Sequence, residues 1–192
     1  MKKLSIVIMA HPSRAKFIPY LKEMLGDDIP VVFDEKNNIW DTCRRAWFAQ
    51  DFSCEYGVVI QDDCIITRNF RKKAEKLLTE DFIYSFYAGE MLREKIRIAL
   101  HYKSDRVISS MIFNEVALCM KMSRVKDMVK FCDEREAQTD HEIVKYARSQ
   151  NLKVCYTLPS LVDHRDTESI WRKMQGGKVF SSKPRKAVKF LS

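Results

Sequence analysis

The chain has 192 residues, 46% hydrophobic and 31% charged, with only 5 Gly and 5 Pro. That profile excludes a disordered or fibrous protein and fits one domain with a substantial core. The net charge of +8 is uneven: residues 165–192 hold eight Lys and Arg against two acids, so the rest is nearly neutral. A basic end on a near-neutral body points to nucleic acid, a phosphorylated ligand or a membrane surface as partner.

The start, MKKLSIVIMAHPSR, looks at first like a leader. Its apolar run is broken by His11 and Pro12, so a buried first strand over residues 4–10 is the better reading. Residues 16–25 carry apolar side chains at helical spacing, and 29–34 reads as a second strand closing on Asp34. A helix follows over 41–52 with Asp41 as N-cap, then a strand, EYGVVIQDD, a helix over 69–80 and a strand over 82–88. This order predicts an α/β protein with a mixed, mostly parallel central sheet and helices on both faces. The second half is less regular. One or two strands fall within 107–122, helices over 123–136 (Ser123 as cap) and 139–151, and a last strand over 153–159.

No apolar stretch approaches the roughly 18 residues a membrane-spanning helix needs. The cysteines at 43, 54, 64, 119, 132 and 155 form no C-x-x-C pair or zinc spacing. Reduced core thiols in a cytoplasmic protein are expected.

Ligands of open α/β sheets bind beyond the carboxyl ends of the strands. Three predicted strands end there on polar groups: His11, Asp34, and the adjacent Asp62 and Asp63. The phosphate-binding G-x-x-x-x-G-K-[ST] and the dinucleotide-binding G-x-G-x-x-G are both missing, as are G-x-S-x-G and H-E-x-x-H. Two neighbouring carboxylates repel and need a cation, a proton or water. On an exposed rim they suit Mg²⁺ or Mn²⁺; the plainer alternative is a solvated turn.

The layout resembles small GT-A-type glycosyltransferases, including phage-encoded ones, which move sugars from nucleotide-sugar donors on a Rossmann-like fold. VVIQDDC matches their D-x-D-like motif, MAHPSR their first loop, and TLPSLVDHRDTES their late P-S-L-V-x-H stretch. The resemblance implies Asp63 and His164 as ligands of Mn²⁺ or Mg²⁺. It places Asp62 on the ribose or a metal-bound water, and His11 and Arg14 on the nucleotide or diphosphate of a UDP-sugar. Asp34 would meet the base or ribose, and Arg44 or Arg45 the sugar or phosphates. Asp140, heading TDHEI, would be the general base, with His141 and Glu142 in reserve. The catalytic domain would span 1–169 (donor half 1–90, acceptor half 91–169), with 170–192 a basic tail. The implied acceptor is hydroxymethylated pyrimidine in phage DNA, gripped by the tail, or else a surface glycan. A nucleotidyltransferase and a plain nucleic-acid-binding module are the readings from other classes.

Overall fold

The computed structural model describes residues 3–113, 115–137, 141–165, 167 and 186–191. Nine strands, numbered in chain order, form two sheets. The large one uses β1 (Leu4–Ala10), β2 (Val31–Phe33), β3 (Tyr56–Gln61), β5 (Ile83–Ser85), β6 (Arg106–Ser109), β7 (Ala117–Lys121) and β8 (Val154–Thr157), in the order β2-β1-β3-β7-β5-β8-β6. The small one pairs β4 (Cys64–Ile66) with β9 (Val162–His164). In the large sheet β6 and β7 oppose the other five strands, and three of its six pairings are parallel.

The long apolar runs exist because the sheet is covered on both faces. Along β1, Val7 points into one core while Leu4, Ile6, Ile8 and Ala10 point into the other; on β3, Val59 faces the first and Tyr56, Val58 and Ile60 the second. The first core is closed by α2 (Ile39–Phe48), α4 (Arg93–His101), α5 (Met122–Asp133) and α6 (Glu142–Ser149). The second is closed by α1 (Ile18–Leu25) and α3 (Phe70–Leu77). All six cysteines are buried free thiols.

Several local expectations are corrected. The predicted helix from residue 16 begins as a 3-10 turn, Pro12–Phe17, before α1. Gly26 stops α1 at φ 128°, a conformation in which a Cβ would sit 2.9 Å from Asp28 Oδ1. Asn38, not Asp41, caps α2: its side chain accepts from the Asp41 N–H, which frees the Asp41 carboxylate for other partners. Likewise Lys121, not Ser123, is the cap position of α5. α4, β4 and β9 were not expected. The described end of the basic segment packs on the body: Ala187 bridges to Gly89, Phe190 bridges to Ser160, and the Leu191 N–H donates to the Ser160 carbonyl.

Candidate functional site

Because β1, β2 and β3 are parallel neighbours, their carboxyl ends share one edge. The structure brings His11, Asp34 and Asp62 there as expected: the Asp34 N–H donates to the Ala10 carbonyl (2.8 Å) and the His11 N–H to Asp62 Oδ2 (2.7 Å). Asp62 and Asp63 form the turn between β3 and β4. The expected exposed rim is corrected: their side chains are only 5% and 1% exposed. The turn is roofed by the β4–β9 ribbon, whose register sets Cys64 opposite His164.

Arg14 answers the repulsion. A single nitrogen, Nη1, lies 3.0 Å from Asp62 Oδ1 and 2.7 Å from Asp63 Oδ2, with the side chain 13% exposed. Burial pushes the Asp62 carboxyl up, against the opposing pull of the His11 N–H and Arg14, and the Asp63 charge adds to the rise. His11 itself caps the 3-10 turn that carries Arg14; its Nδ1 accepts from the Ser13 N–H at 3.2 Å.

On the other flank, His164 Nε2 is 3.3 Å from Asp63 Oδ2, and the Thr167 hydroxyl donates to the same oxygen at 3.3 Å. The Arg165 N–H donates to the Asp63 carbonyl (2.7 Å), and His164 Nδ1 contacts the Arg165 carbonyl. A carbonyl only accepts, so Nδ1 carries the hydrogen, and this contact sets the ring with Nε2 facing the Asp63 carboxylate. A backbone-oriented imidazole of this kind is how a metal-ligating His is usually held. Asp63 Oδ1 is buried and has no hydrogen-bond partner among the described residues.

Those two donors are the test of a metal here. No group of three or more His, Cys, Asp or Glu able to hold an ion occurs among the described residues. Mg²⁺ and ions like it are commonly held by one or two carboxylates, with waters and substrate phosphates completing the shell. Asp63 and His164 fit such an ion, although Arg14 stands against the same carboxylate.

The other expected residues are more scattered. Asp34 Oδ1 accepts from the N–H groups of Lys36 (3.0 Å) and Asn38 (3.3 Å), so it shapes its own loop. Arg45 braces that loop through the Phe33 carbonyl (2.7 Å), Asp41 (2.9 Å) and Glu35 (3.2 Å). Arg44 lies 3.7 Å from Asp41 and 3.6 Å from Asp133 of α5, so of the two arginines it is Arg45 that sits at a strand end. Asp140 lies outside the described residues. Its neighbour His141 faces Glu115, Nδ1 to Oε1 3.4 Å, and burial raises the Glu115 carboxyl.

Glu115, Thr167 and Asp163 were missed in the sequence. Asp163 accepts from the backbone of His164 (2.8 Å) and of Ala187 (2.6 Å), tying ribbon to C-terminal segment. Only Glu115, a lone acid in the apolar stretch 107–122, left a signal. A cavity of about 450 Å³ between Phe52, Glu55, Lys121 and Lys126 lies at the opposite edge of the sheet, away from this chemistry.

No known protein-family profile matches the chain, and no curated protein does. Among solved structures it is similar to the Drosophila β-1,4-galactosyltransferase 7, described in complex with manganese, UDP-galactose and xylobiose. The TM-score is 0.50 at 10% identity, over 95% of this chain and 77% of that one. The fold is of the GT-A type. In that frame the Asp62–Asp63 turn lies beyond the carboxyl end of a central strand, the ligand-binding edge of such sheets. No described helix is long and apolar enough to cross a membrane.

Proposed function

We propose that the chain is a metal-dependent glycosyltransferase that moves a sugar from a nucleotide sugar, with UDP-sugars first in line, to an acceptor hydroxyl. The observation that carries this reading is the buried oxygen of Asp63, without a hydrogen-bond partner among the described residues, beside the His164 ring at the ligand-binding edge of a GT-A sheet. The solved galactosyltransferase of like fold is described with manganese and UDP-galactose, which supports the same kind of ligands here.

Asp63 and His164 would hold Mn²⁺ or Mg²⁺, and a bound ion there neutralises a diphosphate leaving group. Around it the chain supplies position and charge. The His11 loop and Arg14 flank the place of the diphosphate, and Asp62 fixes that loop through the His11 N–H. Arg45 and Asp34, at the end of β2, border the nucleoside side. Asp140 keeps the proposed role of general base on the resemblance alone.

The test is a screen of nucleotide sugars for Mn²⁺-dependent thermal stabilisation and hydrolysis. At least one UDP-sugar is expected to raise the melting temperature with Mn²⁺ and not with chelator. Asp63→Ala should lose that response and at least about 100-fold in donor hydrolysis, since loss of even an outer partner of a metal ligand costs about 10–100-fold. If no nucleotide sugar shifts the melting temperature with metal present, the reading fails.

For the acceptor we infer a polyanion, DNA bearing hydroxymethylated pyrimidines, supported by the eight Lys and Arg of residues 165–192. A gel shift should then weaken steeply as salt rises. DNA binding that is absent, or indifferent to salt, removes DNA and leaves a surface glycan.

A further inference from the structure

Asp62 and Asp63 already have a counter-ion, and it occupies ground a metal needs. Arg14 Nη1 sits 2.7 Å from Asp63 Oδ2, the same oxygen that His164 Nε2 approaches at 3.3 Å. A divalent ion held between Asp63 and His164 would stand within a few ångström of the guanidinium. In surroundings this dry, with both carboxylates almost fully buried, that repulsion is weakly screened.

We propose that Arg14 is a specificity-determining residue that admits metal and nucleotide diphosphate only together. This rests on the glycosyltransferase reading above. With neither ligand bound, Arg14 neutralises the acid pair and keeps bare divalent ions out. A diphosphate arriving at the first loop offers the guanidinium another anion, one whose oxygens match its planar fork. As Arg14 turns from carboxylate to phosphate, Asp63 loses that counter-ion, and Asp63 and His164 would then be able to hold the divalent ion.

The mobile part of this exchange is small. Arg14 belongs to a single 3-10 turn whose Pro12 and Ser13 are exposed, while the loop's root stays fixed by the His11 N–H on Asp62 Oδ2 (2.7 Å). Asp63 Oδ1, buried and without a hydrogen-bond partner among the described residues, is the acceptor left for the incoming ion. The exchange is a coupling between two ligands, so it must be reciprocal: the diphosphate tightens the metal by the same factor as the metal tightens the diphosphate.

The experiment titrates Mn²⁺ alone, and Mn²⁺ with saturating UDP, into the full chain and into Arg14→Gln, with free Mn²⁺ read by electron paramagnetic resonance. In the unaltered chain UDP should tighten Mn²⁺ by at least about tenfold, within the usual range of such couplings. Arg14→Gln should bind Mn²⁺ alone at least about tenfold more tightly, and the gain from UDP should shrink toward none. If Mn²⁺ alone binds Arg14→Gln no better, Arg14 does not hold the ion's place. If it binds better while the UDP gain persists unchanged, Arg14 is only background charge; either result overturns the exchange. Should Arg14→Gln not fold, Arg14→Lys decides, because it keeps a positive charge beside the acids but its single-headed ammonium cannot match the diphosphate as the fork does. The gain in Mn²⁺ affinity from UDP must then shrink below that of the unaltered chain, and an undiminished gain overturns the proposal. An unaltered chain that binds no Mn²⁺ even with UDP defeats the glycosyltransferase reading itself, a distinct outcome.

Discussion

Two acid–base clusters lie along the carboxyl edge of the sheet, built from the same residue types in opposite proportion. At the end of β2, one carboxylate, Asp41, is met by Lys36 (3.2 Å), Arg45 (2.9 Å) and, farther off, Arg44 (3.7 Å). At the end of β3, two carboxylates share one guanidinium, Arg14. The titration behaviour follows. Burial raises both Asp41 and Asp62, but for Asp41 the Lys36 and Arg45 hydrogen bonds prevail and the carboxyl ends lowered. For Asp62 burial prevails, helped by the neighbouring Asp63, and the carboxyl ends raised. In the first cluster the cations outnumber the carboxylate they surround; in the second, two buried carboxylates share one guanidinium, with His164 beside them. A deficit of charge in a buried place is what a structural ion pair avoids and a ligand site can use.

Truncating the two arginines is the sharpest way to break this contrast. Arg14→Ala, measured in chelator, leaves two buried carboxylates without their cation and should cost about 3–5 kcal/mol, a fall in melting temperature of roughly 10 °C. Mn²⁺ should restore part of it. Arg45→Ala, whose partner Glu35 is exposed and whose partner Asp41 keeps Lys36 as another cation, should cost no more than about 1 kcal/mol and less still in high salt. Equal losses at the two sites would erase the distinction.

A smaller effect tests another acid of this sheet edge. Burial raises Glu115, which faces His141 and is 19% exposed. A carboxyl raised on folding contributes stability that is full below its unfolded pKa and is lost as pH rises through the folded value. The unaltered chain should therefore lose stability relative to Glu115→Gln between about pH 4 and neutrality. Melting curves at several pH values read this directly, and a gap between the two proteins that does not change with pH would contradict it.

How much of this could be read from residues alone depends on length and on burial. β1 and β3 were legible because strands covered on both faces must be apolar throughout, and their ends, with that of β2, carried the polar line of His11, Asp34, Asp62 and Asp63. β4 and β9 have three residues each, too few for any period, yet they are what sets His164 against Asp63. That pairing was available only through the resemblance. α4 escaped because it buries Ile96 alone and leaves Ile98 exposed amid charges, which blurs the helical stripe. Arg14 was read as a contact for phosphate. The sequence placed a cation near the first loop, but which anion it meets depends on a turn packing that no local pattern encodes.

The β4–β9 ribbon also sets an order in time. Arg14 and the acid pair are all made within the first 63 residues, whereas His164 comes 101 residues after Asp63. At about 5–20 residues per second, that separation is roughly 5–20 s of synthesis. The ion pairs of Arg14 with Asp62 and Asp63 therefore draw only on the early part of the chain, whereas the His164 contact with Asp63 waits for β9 to be made and paired with β4.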